Sequence, residues 1–326
     1  MTKIIFQKSK FNPVITRKYN TFHSIHVANP DILEIEDKYF FYFRGQGIEG
    51  HDQIGVATCN KKEFDGGKWE FYKDNPIIRV ESEKDTFDNQ HILDPATIMN
   101  NNKIFLYYAG HSKNKECGIG LAISEDGYNF KKNINPVIKG AMSPEVVFYN
   151  NQYHLFYSKL SKKGNLDIYK SVSDNGIDFH SELKVFTPSN SKNEFDSFSI
   201  STVRIFKHGQ YFYMIYGGCD KYFDYPKAFG LARSKDLLIW DRYPFNPVME
   251  RGLPGQWDEG ALWFGTVIEN NNKFYLFYEG VGAGLGINTP EGKECSDICR
   301  NEDYGGYRKF SFSQIGLAIY ENGLEW

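Results

Sequence analysis

Along the chain, short apolar runs alternate with aromatic runs across polar turns. Five stretches superimpose: "PDILEIEDKYFFYFRG", "PATIMNNNKIFLYYAG", "PEVVFYNNQYHLFYSK", "TVRIFKHGQYFYMIYGG" and "GTVIENNNKFYLFYEG". Each has an apolar run, a turn rich in Asn, Asp, Lys or Gly, and an aromatic run, the pattern of a β-hairpin. A second unit follows the hairpins, as in "IGLAISEDGYNFKKNINPVI" and "FGLARSKDLLIWDRYPFNPVM", and supplies two more strands. Asn-Pro pairs at Asn12, Asn75, Asn135 and Asn246 recur at intervals of 63, 60 and 111, the last spanning two repeats. Four strands per repeat of about 40–60 residues predict a β-propeller, here with five blades.

The ends of the chain predict how the ring closes. The C-terminus, "IGLAIYENGLEW", is a second unit without its Asn-Pro strand, while the N-terminus carries an orphan "FNPVI" at Phe11–Ile15. The N-terminal strand is expected to complete the last blade and leave no terminal edge exposed. The fold class is therefore all-β, with residues 1–326 forming a single five-bladed β-propeller. Residues entering each first strand and residues leaving each second strand should share one face. The Gly- and charge-rich insertion 281–313 is expected over that face as a lid.

Composition narrows the partners. Aromatic residues make up 17% of the chain, and 38 basic against 41 acidic residues leave a net charge of −3. That balance favours packed β-structure and provides no field for nucleic acid. The N-terminus lacks the apolar core of a signal peptide and no stretch has the length of a membrane span, so a cytoplasmic location without membrane attachment is expected. Oligomeric state is not legible. Five scattered cysteines do not suggest a disulfide framework, and "CSDIC" at Cys295 and Cys299 has no nearby His, so neither metal nor cofactor is expected.

Positions that differ between blades are the candidates for chemistry. Phe87-Asp88, Phe195-Asp196 and Trp257-Asp258 recur and read as architectural, although Asp258 and its neighbour Glu259 also stand at the mouth of the fifth blade. Asp31, Asp94 and Glu145 come from three consecutive blades and are expected to face one central pocket. Clustered carboxylates repel each other and are costly to desolvate, so they call for a use. Inverting glycoside cleavage is one: an acid protonates the leaving oxygen while a carboxylate about 6.5–9.5 Å away activates water. Asn29, Arg44, His91, His111, Arg204, Asp258, Glu259 and Trp263 are the candidate substrate contacts, with Trp263 and Phe264 able to stack on a sugar face.

The pattern "IGLAISEDGYNFKK…NPVI" with "DPATIMNNNKIFLYYAG" resembles the five-bladed propeller glycosidases, the superfamily of glycoside hydrolase families 43, 32 and 130, over nearly the whole chain. In family 43 an Asp-Pro in the first blade supplies the base, a second Asp-Pro an orienting aspartate, and a Glu opening a later inner strand the acid. The resemblance places Asp94 of "LDPAT" at an Asp-Pro position and Glu145 at the glutamate. The first blade departs from the pattern: "ANPDIL" has Asn29 where the aspartate belongs and Asp31 two residues later. The expected roles are Glu145 as general acid, Asp31 as base and Asp94 as the orienting group. Asn-Pro in the first blade is also similar to family 130, whose phosphorylases use phosphate in place of water, for which Arg44, Arg204, His91 and His111 are candidates. Three readings stand: an inverting hydrolase of an oligosaccharide or glycan, a phosphorylase or glycosyl transferase using the same pocket, and a carbohydrate-binding propeller without catalysis.

Overall fold

The computed structural model describes residues 3–189, 191–282 and 312–326, together with the strand backbone of 303–304 and 307–308. A short strand β1 (Gln7–Lys8) precedes five antiparallel sheets. The first blade contains β2 (His26–Ile35), β3 (Lys38–Gln46), β4 (Asp52–Asn60) and β5 (Glu70–Phe71). The second contains β6 (His91–Asn100), β7 (Lys103–His111), β8 (Cys117–Ser124), β9 (Lys131–Lys132) and β10 (Ile138–Lys139). The third contains β11 (Met142–Tyr149), β12 (Gln152–Leu160), β13 (Leu166–Ser173) and β14 (His180–Phe186). The fourth contains β15 (Ser199–His208), β16 (Tyr211–Cys219), β17 (Ala228–Ser234), β18 (Asp241–Arg242) and β19 (Met249–Glu250). The fifth begins with β20 (Ala261–Asn270) and β21 (Lys273–Gly282); a small ribbon of β22 (Asp303–Tyr304) and β23 (Tyr307–Arg308) follows, and then β24 (Phe312–Tyr320). The inner strands β2, β6, β11, β15 and β20 each touch the next, and β20 touches β2, which makes the sheets a closed ring.

The aromatic second strands explain how the blades cohere. Neighbouring residues of a strand point to opposite faces, yet Phe41, Tyr42 and Phe43 are all fully buried, as are Tyr107 and Tyr108, Phe156 and Tyr157, and Phe277 and Tyr278. Both faces of each sheet are therefore covered by adjoining blades. The tyrosine hydroxyls find partners there: Tyr42 donates to Gly127 O at 3.2 Å and Tyr107 to Gly176 O at 2.7 Å, each in the next blade. Gly127 and Gly176 have φ of +81° and +75°, and a Cβ on either would meet the partner tyrosine hydroxyl at 3.1 or 2.9 Å. This is why the "EDG" and "DNG" turns recur.

Two polar contacts repeat from blade to blade and fix the closure. Asn75 accepts from Val56 N at 2.9 Å and donates to Val56 O at 2.8 Å; Asn246 holds Leu231 in the same way, at 2.8 and 3.0 Å. The side-chain amide imitates a strand beside a proline that has no N–H to give. Asn12 makes the same pair of bonds with Leu317 of β24, at 2.8 and 2.9 Å. The second contact joins an aspartate to a tyrosine and an outer-strand cation: Asp88 with Tyr108 and Lys132, Asp196 with Tyr216 and Arg242, Asp258 with Tyr278 and Lys8. In both contacts the N-terminal segment supplies what the last blade lacks. β1 pairs with β24, and Ile15 bridges Ile315, so the expected closure is observed.

The 281–313 insertion, apart from its ends and the β22–β23 ribbon backbone, lies outside the described residues, as do Cys295 and Cys299. No helix among the described residues is long and apolar enough to cross a membrane.

Ile4, Phe6 and Ile15 are buried beneath the last blade. At about 1.5–3 kcal/mol for each side chain, deleting residues 1–15 should cost about 5 kcal/mol or more and expose β24 as an edge. Thermal melting should show a lower Tm with aggregation; an unchanged melt would contradict the closure.

Candidate functional site

Each inner strand slips register once, between Ala28 and Asp31, Leu93 and Ala96, Met142 and Glu145, Ile200 and Val203, and Trp263 and Thr266. In four blades the first residue of the slip is left-handed: Asn29 at φ 49°, Asp94 at 59°, Ser143 at 54° and Phe264 at 50°. Three of them precede a proline, which cannot donate to the ladder and so ends pairing at a bulge. Asn and Asp tolerate this conformation best. The four left-handed residues line an axial cavity of about 390 Å3.

Second strands supply its charged wall. At one register these strands carry Arg44, Ala109, Ser158, Gly218 and Glu279, so only the first and fifth blades are charged there. Ring closure makes those blades neighbours, and Arg44 Nη2 lies 3.5 Å from Glu279 Oε1. Ser313 Oγ donates to Glu279 Oε1 at 2.5 Å and Asn29 N donates to Oε2 at 3.3 Å. Burial raises the Glu279 carboxyl, against the pull of Arg44 and these donors. Asn29 also reaches Asp94: its Nδ2 donates to Asp94 Oδ1 at 2.7 Å. Burial pushes the Asp94 carboxyl up to about 7; Arg44 and Arg204 pull it down, while Asp224 and Glu279 push it further up. Since Asn29 touches both acids, those two carboxylate oxygens are no more than about 11 Å apart.

A third acid enters from the loop between β16 and β17. Asp224 accepts from Trp263 Nε1 at 2.9 Å and is raised by burial, with the indole and Arg44 opposing. Trp263 packs edge-on against Tyr225, 5.8 Å between centroids, and forms an aromatic wall. Burial pushes the His26 imidazole down to about 3 and also lowers His111, which disfavours the charged form of both. Among the described residues, two buried polar atoms on the wall have no hydrogen-bond partner, Asn29 Oδ1 and Arg44 Nε.

One layer down the axis lies Arg204, 3% exposed. Its Nη1 donates to Pro144 O at 2.7 Å and Glu145 Oε2 at 3.2 Å, its Nη2 to Pro95 O at 2.7 Å, and its Nε to Thr266 Oγ1 at 3.2 Å. Asp31 Oδ1 is 4.0 Å from Nε, and Asp31 Oδ2 accepts from Thr97 N and Oγ1 at 2.7 and 2.5 Å. Glu145 Oε1 accepts from Ile205 N at 2.8 Å. Burial raises both carboxyls, with Arg204 opposing.

The residues singled out in the sequence thus separate. Asn29, Arg44, Asp94, His111 and Trp263 line the cavity. Asp31, Glu145 and Arg204 do not; they form the buried cluster beneath it. His91 lies beside the cavity with its Nδ1 2.8 Å from Asp52 Oδ2. Asp258, considered for substrate contact, instead joins Tyr278 and Lys8, and Glu259 accepts from Gly255 N at 2.7 Å in the loop before β20. Asp224 and His26 were not singled out. The "FDYP" at 223–226, in an extended loop on the cavity face, was the available signal for Asp224.

No protein-family model and no curated protein sequence matches the chain. Solved structures do. A β-1,2-mannobiose phosphorylase from Listeria innocua, in complex with β-1,2-mannobiose, aligns over 97% of this chain and 96% of its own at 13% identity and a TM-score of 0.72. An N-acetylgalactosamine deacetylase from F. plautii, in complex with blood group B trisaccharide, covers 97% and 95% at 12% identity and 0.70. A thermostable family-43 glycoside hydrolase covers 94% and 93% at 14% identity and 0.66. In fold, the chain resembles the five-bladed propeller glycoside hydrolases and phosphorylases.

Proposed function

We propose that the protein hydrolyses a glycosidic bond in the axial cavity, with Asp94 as general acid and Glu279 as the carboxylate that activates water. The observation that carries this reading is the unequal setting of the two acids. Glu279 is in contact with a guanidinium, which favours its ionised form. Asp94 is held by a neutral amide and raised to about 7, so that a substantial fraction of it carries a proton near neutral pH, as a general acid needs. Their bounded separation encloses the roughly 6.5–9.5 Å of inverting pairs. Asn29 Oδ1, without a partner among the described residues, is an acceptor for a water or a sugar hydroxyl. Trp263, fixed by Asp224, offers a face for a pyranose ring.

Charge favours water over phosphate as acceptor. Among the described residues the wall carries Asp94, Asp224 and Glu279 and one arginine, Arg44, which is shared by Glu279 and Asp52, whose Oδ1 lies 3.6 Å from Arg44 Nε. Arg204 is engaged beneath the floor. A phosphate dianion would meet net negative charge there. Uncharged glycans fit this cavity better than anionic ones.

A panel of oligosaccharides and nitrophenyl glycosides, with and without phosphate, tests the reading; turnover that requires phosphate would favour the phosphorylase instead, and binding without turnover the carbohydrate-binding propeller. Asp94→Asn keeps the left-handed backbone and still accepts from Asn29, so kcat on poor leaving groups should fall by about 10²–10⁴ and less on activated aryl glycosides. Glu279→Gln should slow both substrate types alike. Equal losses for Asp94→Asn on both types would remove its role as acid.

The same proton has a stability signature. A raised carboxyl contributes stability below its ordinary range that is lost as pH rises through about 7. Asp94→Asn has nothing to lose on that rise. Its stability relative to wild type should therefore grow between about pH 5 and pH 9, by on the order of 2–4 kcal/mol, in pH-resolved denaturation. A constant difference would mean that Asp94 is ionised throughout.

A further inference from the structure

We infer that Arg204 is a positioning residue whose guanidinium, acting with the Thr266 hydroxyl, holds the three X-Pro bulges that aim Asn29, Asp94 and Ser143 into the cavity. The inference rests on the hydrolase reading only for its kinetic readout. Each carbonyl captured at the axis belongs to the proline directly after a left-handed residue. Arg204 takes Pro95 O and Pro144 O, both at 2.7 Å. Thr266 Oγ1 donates to Pro30 O at 2.8 Å while accepting from Arg204 Nε at 3.2 Å. The guanidinium carbon also lies 4.6 Å from the ring centroid of Phe264, the fourth left-handed residue. One planar group therefore reaches three bulges directly and the fourth through Thr266.

A residue before proline is pushed towards extended conformations, and a left-handed backbone is costly for any residue but glycine. Such conformations persist only where the surroundings over-determine them. A lysine could not replace the fork, because its donors sit on one nitrogen, whereas Arg204 meets its three acceptors with three separate nitrogens in a rigid plane. Glu145 and Asp31 supply the counter-charge that permits a guanidinium to be buried here. If the Pro30 carbonyl is released, Asn29 loses its fixed aim, and with it go the bonds from Asn29 to both Asp94 and Glu279.

Replacing Arg204 would strand two buried carboxylates and endanger folding, so the test uses Thr266. Thr266→Val removes the oxygen that joins Arg204 to Pro30 and leaves the ion cluster paired; Thr266→Ser keeps the oxygen. The first readout needs no substrate: the carboxyl-carbon NMR titration of Asp94, identified by its loss in Asp94→Asn. With a folded Thr266→Val, the Asp94 midpoint should rise by about half a pH unit or more as the Asn29 donor loosens, and Thr266→Ser should restore it. On a substrate that the wild type turns over, kcat should fall about tenfold or more in Thr266→Val with KM within about twofold. A wild-type Asp94 titration in a folded Thr266→Val overturns the inference, as does a Thr266→Ser that shifts equally. A shifted titration in an enzyme that cleaves no glycoside would retire hydrolysis and keep the positioning role.

Discussion

The structure depends on one guanidinium buried where five sheets converge. Bulged inner strands leave carbonyls pointing at the axis without ladder partners, and buried carbonyls need donors. Arg204 provides them to two blades directly and to a third through Thr266. Its charge in turn requires Glu145 and Asp31. The acid at the head of "PEVVFY" is thus explained from below: it neutralises the cation that satisfies the backbone of the bulges.

Above that layer the balance reverses. Among the described residues Arg44 is the cation beside Asp94, Asp224 and Glu279, and it lies against Glu279 and near Asp52. Burial raises all three cavity acids; Glu279 has a guanidinium in contact, while Asp94 is held by the neutral amide of Asn29. An acid raised to about 7 and a paired carboxylate on one wall, both touched by Asn29, match what the proposed acid-and-base cleavage of a glycoside needs. On the proposed reading, the propeller separates two uses of carboxylates along one axis, counter-ions below and a proton donor above.

The blades, their number and the closure were legible because they rest on local patterns repeated around the ring. Asn12 reads as an orphan until it meets Leu317, as Asn75 meets Val56. The layer to which each acid belongs was harder to read, because the bulge displaces the register by which strand faces are counted. The order of proline and acid holds that information. In Asp94-Pro95 the acid precedes the proline and faces the cavity; in Pro30-Asp31 and Pro144-Glu145 it follows and faces Arg204. The pairing of Arg44 with Glu279 spans the closure and needs the assembled ring, and Asp224 lies in a loop that no other blade repeats.

The most direct test is a crystal structure of Asp94→Asn with an uncleaved oligosaccharide bound. The account predicts the scissile oxygen within about 2.6–3.2 Å of the residue 94 side chain, with Glu279 on the opposite side of the anomeric carbon. A linkage placed away from both residues would contradict it.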